Sequence, residues 1–297
     1  MFKWTVTAEH TDMLLREFLQ HHALLSRSLV KVLKFDGGSI LVNGKQESVR
    51  RRLAIGDTVQ VIFPPEQRGP QVKPENMDLD ILFEDDLFMV IDKPPRIATI
   101  PSAQHPTGTI ANAVVHYYDQ NKLPYTFHVV TRLDRDTSGL MLIAKHRYAH
   151  SLMATHKIER GYHAVVSGHL ASKKGVINAP IARKPGSIIE RTVAAAGKHA
   201  ITHYQVVNEL SDYSLVQIRL ETGRTHQIRV HFAYLAHPLL GDNLYGGDCT
   251  VISRQALHCS SLQFMHPVSH EVIALSAPIP SDINRLLQDV STALKND

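Results

Sequence analysis

Apolar residues occur along this chain in short runs, and most of the runs alternate with polar residues rather than recur at helical spacing. From residue 79 onward, the pattern predicts strand in five stretches: 81–92, 127–130, 140–144, 162–166 and 213–221. Helical spacing appears in four stretches: 109–118, 145–158, 225–236 and the residues after Pro278. Strands dominate and do not alternate regularly with helices, so the pattern predicts an α+β fold with a mixed, mainly antiparallel sheet.

The first part of the chain has its own pattern. Residues 12–34 show the spacing of two short helices, and Ser26 is a good N-cap for the second. Asn43-Gly44 predicts a tight turn between strands, and Thr58 to Phe63 reads as another strand. The chain is thus predicted to contain a small αβ domain, an extended linker rich in Pro, Gln and charge, and a larger domain, over residues 1–65, 66–78 and 79–297.

Composition limits the class of protein. Hydrophobic residues make up 43% of the 297 residues, which is ample material for a core. No apolar run approaches the roughly 20 residues that cross a bilayer, and the N-terminus lacks the apolar core of a signal peptide. The two cysteines have neither a disulfide framework nor zinc-ligand spacing. These features predict a soluble cytoplasmic monomer without a membrane partner.

The charge of the chain is mildly basic, with a formal net charge of +4. Residues 1–65 carry nine Lys or Arg and six Asp or Glu, so most of the excess lies in the small N-terminal domain. A basic excess is what contact with phosphates requires, although a solvated surface also produces one.

The densest cluster of charge is the segment from Thr131 to Gly139, which reads Thr-Arg-Leu-Asp-Arg-Asp-Thr-Ser-Gly. It lies between two apolar runs, so it reads as a loop that joins two strands. Charges at such a position must be paired, and their burial adds little stability, whereas loops on rigid scaffolds often carry chemistry. A surface turn with an internal ion-pair network is the alternative interpretation.

Two further segments belong with this loop. One is Glu159-Arg160-Gly161-Tyr162-His163-Ala164, and the other runs from Thr222 through Arg229 to Asp242 and continues to Tyr245-Gly246. In order and separation, the three segments resemble those of the pseudouridine synthases, and most closely those of the RluA family. The likeness extends over about residues 79–280. It implies the pseudouridine-synthase fold and an enzyme that isomerises uridine in RNA.

The resemblance also implies roles for five residues. Asp134 would be the nucleophile, with Arg229 as its ion-pair partner. Tyr162 would stack on the target base and act in proton transfer. Arg132 would help displace the target nucleotide, and Leu262 would line the apolar side of the base pocket.

The chemistry agrees with these residue types. The reaction breaks the bond from ribose C1′ to base N1 and joins the base again through its C5. An ionised carboxylate can attack the sugar, or assist loss of a proton at C2′, without a cofactor. A fixed Arg keeps a partly buried carboxylate charged, and an aromatic face offsets the cost of unstacking the base. We therefore expect no cofactor. We also expect no metal, because the histidines lack zinc-site spacing.

The small N-terminal domain also resembles a known module. Its order of helices, strands and turns over residues 12–63 is similar to the S-four-like RNA-binding domain of a ribosomal small-subunit protein. Leu14-Leu15-Arg16 stands where that module has Arg-Leu-Asp. With such a domain, large-subunit ribosomal RNA is the first expected target and transfer RNA the second. A small αβ domain without an RNA role is the alternative.

The catalytic loop departs from the family at one position: Thr131 stands where His usually precedes Arg-Leu-Asp. A Thr hydroxyl can form part of the same hydrogen bonds with a shorter reach. Two other classes of protein stay open on the sequence. One is a non-catalytic RNA-binding assembly factor that keeps the fold. The other is a glycosidase or nucleoside hydrolase, which would need a pair of carboxylates such as Asp134 and Asp136.

Overall fold

The computed structural model of the protein describes residues 1–70, 72–154 and 156–293. Within these ranges the strands are β1 (Phe2–Thr5), β2 (Ser39–Val42), β3 (Lys45–Gln46), β4 (Thr58–Ile62), β5 (Ile81–Glu84), β6 (Phe88–Lys93), β7 (His128–Val129), β8 (Ser138–Ala144), β9 (Ile158–Ser167), β10 (Lys174–Asn178), β11 (Ile181–Arg183), β12 (Arg191–Val193), β13 (Ile201–Glu209), β14 (Tyr213–Leu220), β15 (Leu257–Met265) and β16 (Val272–Ser276). The α-helices are α1 (Leu15–His21), α2 (Arg27–Phe35), α3 (Ile110–Gln120), α4 (Arg147–Met153), α5 (Gln227–Tyr234) and α6 (Ser281–Ala293).

The N-terminal residues form their own antiparallel sheet, with strand order β1-β4-β2-β3. The predicted cap is present, because Ser26 Oγ accepts a hydrogen bond from the Leu29 amide at 3.3 Å. Asn43 and Gly44 both have positive φ, which is the conformation of a tight hairpin turn. The sequence analysis missed β1, since its four residues are too few for a periodic signal.

The large sheet has the order β10-β13-β14-β9-β15-β8-β6-β5. Its pairs are antiparallel apart from β8 and β15, which run parallel, so the predicted α+β class with a mixed, mainly antiparallel sheet is confirmed. Strand β15 lies between the two halves of this sheet. Gly139 makes the parallel pair possible, because a Cβ there would collide with the backbone of Cys259.

One predicted helix is too long. The interpretation of 145–158 as helix is wrong at both ends, because α4 covers Arg147–Met153 and residues from Ile158 onward belong to β9. His146 caps α4 by accepting the Ala149 amide, and Ile158 pairs with Phe264 of β15. Long-range strand pairing thus overrides the local helical spacing. The 127–130 strand is likewise reduced to His128–Val129.

The described residues of the predicted linker contain neither helix nor strand, and they are fastened to the larger part of the protein. Arg68 forms an ion pair with Asp119 and donates to the Tyr125 carbonyl. Glu66 contacts His128 at 2.6 Å and also accepts the Arg147 amide. The linker is therefore held in place along its path.

Aromatic rings connect the N-terminal sheet to the larger part. Tyr148 of α4 lies within ring-contact distance of Phe2, Trp4 and Phe63, and its hydroxyl donates to the Ala23 carbonyl at 2.8 Å. We refer to these rings and His146 as the aromatic seam. Among the described helices, none has the length and apolar character to cross a membrane.

Candidate active site

The charged loop between β7 and β8 is tightly braced. Thr131 Oγ1 accepts the Leu142 amide at 2.8 Å, so the hydroxyl fixes the start of the loop to β8. Thr99 Oγ1 donates to the Leu133 carbonyl at 2.9 Å. Gln255 donates to the hydroxyl of Thr137 at 3.2 Å. The loop therefore has a defined path on both sides of Asp134.

The buried side chains of Lys93 and Arg254 each donate to a further carbonyl of this loop. Lys93 donates to the Arg135 carbonyl at 3.0 Å, and Arg254 donates to the Asp136 carbonyl at 3.1 Å. Burial lowers the pKa of Lys93 to about 7, although the charges of Asp136 and Asp134 oppose this shift. The loop that carries Asp134 thus rests on the charged Arg254 and on a lysine that is only partly charged at neutral pH.

Asp134 projects from the loop toward α5. Its Oδ2 lies 3.1 Å from Nη1 of Arg229, and its side chain is 29% exposed. Arg229 is itself buried, and it also binds Asp242 through two hydrogen bonds, of 2.6 Å from Nε and 2.8 Å from Nη2. The ring of Tyr245 lies 5.0 Å from its guanidinium carbon. The ion pair implied by the family resemblance is therefore present in the structure.

The charge of Arg229 is secured by its partners. Burial works to lower the pKa of Arg229, but the hydrogen bonds and charge of Asp242, and then of Asp134, raise it above the ordinary value. Along one edge of the guanidinium, Nε and Nη2 donate to Asp242. The third nitrogen, Nη1, donates to Asp134. Asp242 is fully buried, and its two hydrogen bonds fix the position of the guanidinium. Asp134 is partly exposed and therefore stays accessible.

Tyr162 lies on β9 opposite Cys259 of β15 and Ile218 of β14. It is 3% exposed, and burial raises the pKa of its phenol, so the hydroxyl is protonated at neutral pH. A bulge in β15 after Cys259 places Leu262 opposite Arg160, two residues before Tyr162. Tyr162 and Leu262 both belong to the main apolar core of the protein.

Arg132 takes no part in this network. It is exposed, and it has no hydrogen-bond or ion-pair partner within the ranges that the structure describes. Its neighbour Arg135 is bound to Asp136 through two hydrogen bonds. The turn is closed by the Thr137 amide, which donates to the Asp134 carbonyl.

Three residues beside Asp134 were missed by the sequence analysis: Asp242, His226 and Tyr245. His226 Nε2 lies 3.9 Å from Oδ2 of Asp134, and its Nδ1 lies 2.7 Å from the Tyr245 hydroxyl. The segment that holds them was recognised, yet only Arg229 was assigned. A buried Arg needs acceptors for all of its donors, and that requirement was the available signal for Asp242.

Other carboxylates close to the loop in sequence or space are already bound to guanidinium groups. Asp136 binds Arg135, and Asp242 binds Arg229. A hydrolase of the two-carboxylate type needs a second free carboxyl group across the scissile bond. Among the described residues near Asp134, these two are occupied, which disfavours the glycosidase alternative.

A cavity of about 680 Å³ lies elsewhere on the large sheet, lined by residues of β9, β10, β13, β14, β15 and β16. Of the five residues with implied roles, its lining includes Leu262 but neither Asp134 nor Arg229. The cavity is therefore separate from the charged loop and its ion pair.

Comparison with known proteins agrees with the fold. Residues 87–234 match the family model described as RNA pseudouridylate synthase, which defines the class of enzyme. The chain belongs to the RluA family of RNA pseudouridine synthases, which are isomerases acting on uridine in RNA.

Two relatives illustrate this membership. The uncharacterized RNA pseudouridine synthase YjbO of Bacillus subtilis is 47% identical over 268 residues, covering 89% of this chain and 95% of the relative. Ribosomal large subunit pseudouridine synthase D of Haemophilus ducreyi is 37% identical, covering 90% of this chain and 87% of the relative. The structure of human RNA Pseudouridylate Synthase Domain Containing 1 shares the fold, with a TM-score of 0.56, 20% identity, and coverage of 76% of this chain and 98% of that chain.

Proposed function

We propose that this enzyme isomerises uridine to pseudouridine in structured RNA with Asp134 as the nucleophile, and that its target is large-subunit ribosomal RNA. The observation that carries the proposal is the contact between Asp134 and the buried, anchored Arg229. A carboxylate that is to attack a sugar carbon must be ionised and aimed, and a fixed guanidinium does both. The name of the Haemophilus ducreyi relative supports the choice of RNA, with transfer RNA as the second candidate.

The target base must leave its stack before the ribose can be reached. We assign Arg132 to displacing the nucleotide, because its exposed side chain is free to enter the RNA. Tyr162 supplies a ring face for the flipped base and, through its hydroxyl, a group for proton transfer. Leu262 closes the apolar side, which retains the freed uracil between bond breaking and rejoining.

We further propose that the N-terminal domain grips the RNA backbone. Three basic residues of α2 are exposed one turn apart, at Arg27, Lys31 and Lys34. This spacing places them on one face of the helix, where they reach successive phosphates. The S-four-like resemblance of residues 12–63 points to the same role.

The test uses ribosomal RNA and transfer RNA that carry tritium at C5 of uridine, prepared from cells that lack this protein. Rejoining through C5 releases that tritium to water. We expect the wild type to release it from ribosomal RNA, and Asp134→Asn to release none. Asp136→Asn is the matched control, because it alters a carboxylate in the same loop that is bound to Arg135.

The alternatives give different products. Release by Asp134→Asn at the wild-type rate would show that another residue is the nucleophile. Release from transfer RNA alone would move the target to that RNA. Free uracil would show a hydrolase, because an isomerase returns the base to the same ribose.

A further inference from the structure

Arg229 of α5 and His226, the N-cap residue of that helix, both lie close to the same oxygen of Asp134. Arg229 Nη1 lies 3.1 Å from Oδ2, and His226 Nε2 lies 3.9 Å from that same atom. Within the described residues, Oδ1 has no hydrogen-bond or ion-pair partner. The carboxylate is therefore held through one oxygen, and its second oxygen is left without a partner among the described residues.

Hydrogen bonds determine which nitrogen of His226 carries the proton. The Arg191 amide donates to the Tyr245 oxygen at 3.0 Å, and that hydroxyl lies 2.7 Å from Nδ1 of His226. With its oxygen accepting from Arg191, the Tyr245 hydroxyl donates its hydrogen to Nδ1. The neutral imidazole then carries its hydrogen on Nε2, which faces the carboxylate of Asp134. The opposite tautomer would aim a lone pair at a negative oxygen.

The backbone also holds His226 in place. Its φ is 57°, in the left-handed region that few residues other than Gly adopt. Gln227 secures the turn, because its side-chain oxygen accepts from the Arg224 amide and the Thr222 hydroxyl, both at 2.9 Å. Strained conformations of this kind persist where the surroundings enforce them, and they are frequent at active sites.

The charges around the imidazole come from four parts of the fold, and they are of both signs. The groups that face His226 are Asp134 in the catalytic loop, Arg229 on α5, Arg191 on β12, and Asp242 with Tyr245 in the loop before β15. Burial lowers the pKa of His226 below its ordinary value, Asp134 opposes that shift, and the two arginines add to it. The imidazole is therefore mostly neutral at pH 7.

We propose that His226 is a positioning residue for the nucleophile: the neutral imidazole and Arg229 both act on Oδ2 of Asp134, and this leaves Oδ1 to attack the ribose. At 3.9 Å the contact is longer than a hydrogen bond, so His226 acts through the dipole of its N–H. Tyr245 contributes to this positioning, because its hydroxyl fixes the tautomer of His226. The proposal rests on the proposed role of Asp134.

The experiment measures single-turnover tritium release between pH 5 and 8 with saturating enzyme. For the wild type, we expect the rate constant to fall as the pH drops through a midpoint below about 6.5, because protonation of Nδ1 reverses its hydrogen bond with the Tyr245 hydroxyl and places a positive charge beside the nucleophilic carboxylate. His226→Gln keeps an N–H donor without titrating in this range. We expect it to lose the acid limb and to retain activity at pH 7.5 within about five-fold of the wild type.

A second variant separates positioning from RNA binding. His226→Phe removes the donor, and we expect a rate constant about 10- to 100-fold lower at pH 7.5 with an unchanged dissociation constant for RNA. His231→Gln is the matched control, because His231 lies on the same helix and is buried against Thr202 and the Ala179 carbonyl. It should keep the acid limb even if it lowers the melting temperature.

Three results would overturn the proposal. An acid limb that His226→Gln retains would assign the titration to another group, and a wild-type rate constant for His226→Phe would remove the residue from the reaction. A changed dissociation constant with an unchanged rate constant would make His226 an RNA contact. Asp134→Asn is assayed alongside, so that a failure of the nucleophile assignment is seen separately from a failure of this proposal.

Discussion

At the scale of single residues, the site is organised around one guanidinium that serves two carboxylates. Arg229 has 8% of its side-chain surface exposed, and Asp242 has none. A buried Arg with a single partner would leave donors unsatisfied, which costs free energy. The bidentate contact with Asp242 settles the position of Arg229, so the ion pair with Asp134 requires no further ordering of the side chain.

This division of roles predicts the effect of Asp242→Asn. The change keeps one acceptor oxygen but removes the charge and replaces the other acceptor with a donor that faces Arg229. We expect single-turnover tritium release to fall about 100-fold, because a small displacement of Arg229 misaligns the nucleophile. We also expect a loss of about 3 kcal/mol in the free energy of unfolding.

Asp119→Asn is the control for that prediction, since Asp119 pairs with Arg68 at a half-exposed position away from the site. Its free energy of unfolding should change by less than about 0.5 kcal/mol, and its activity should be unchanged. Full activity in Asp242→Asn, measured in the same assay, would show that Arg229 needs no anchor.

The sequence predicted only part of this network. The pattern around Asp134 and Arg229 identified both residues, and the structure brings them into contact. Residues such as His226 and Tyr245 could not be assigned, because their roles depend on hydrogen bonds between segments that are distant in sequence. The hydroxyl of Thr131 accepts a hydrogen bond from the Leu142 amide. The sequence alone could not identify this partner.

At the scale of elements, the parallel contact of β8 and β15 depends on Gly139. Its φ is 112°, and a side chain there would collide with the Cys259 carbonyl. Gly139→Ala should therefore lower the free energy of unfolding by about 2–5 kcal/mol, through backbone strain and overpacking together. Chemical denaturation measures this loss, with Gly69→Ala as the control because a Cβ there meets no atom within 4 Å. An equal stability for the two variants would contradict the prediction.

The cap of α4 gives a prediction about pH. Burial lowers the pKa of His146 to about 4, whereas an unfolded chain has a His pKa near 6.5. As the pH falls from about 6.5 to 4, the unfolded state binds a proton that the folded state does not, so stability decreases over that window. The contribution of neutral His146 to the free energy of unfolding is present in full above pH 6.5. The part lost at lower pH is at most about 3 kcal/mol.

His146→Asn should flatten this dependence. Asn is a good N-cap and can accept the Ala149 amide, as His146 does, without titrating. Denaturation of the variant and the wild type at pH 7, 6, 5 and 4.5 tests the prediction, and parallel curves would contradict it. Some stability at pH 7 is expected to be lost, because the ring of Phe2 loses a partner.

The elements themselves were predictable where the periodicity is local. The α+β class and the cap of α2 follow from it, since Ser26 accepts the expected amide. The end of α4 did not, because the strand pairing that ends at Ile158 involves β15, about one hundred residues away. Short strands such as β1 and β7 are determined by their partners rather than by their own sequence.

At the scale of the whole molecule, the aromatic seam fixes how the N-terminal sheet sits against the catalytic part. Tyr148 contacts rings from β1 and from the residue after β4, and its hydroxyl binds the Ala23 carbonyl. Aromatic pairs and a satisfied hydroxyl make such a contact specific as well as apolar. RNA that spans both parts therefore meets two surfaces at a set separation.

The exposed basic face of α2 should set the salt dependence of RNA binding. Replacing Arg27, Lys31 and Lys34 with Gln in the full chain should reduce the slope of log affinity against log salt by about two to three units, if each contacts one phosphate. Tritium release on saturating short RNA should survive. Binding titrations at several salt concentrations make the measurement.

Deleting residues 1–65 is the larger version of the same test. We expect weaker RNA binding and a flatter salt slope, with chemistry on excess short RNA retained. The deletion also uncovers Tyr148 and His146, so a lower melting temperature is expected. An unchanged salt slope in both proteins would remove the N-terminal domain from RNA binding.

The position of β15 has a consequence for synthesis of the protein. One half of the sheet contains β5, β6 and β8, and the other half contains β9, β14 and β13. Strand β15, residues 257–265, joins the two halves. A nascent polypeptide that has already exposed Asp134, Tyr162 and Arg229 still lacks the strand that unites its halves. Domains fold as units during translation. We therefore expect the enzyme to stay inactive on the ribosome that makes it until residues 257–265 have emerged.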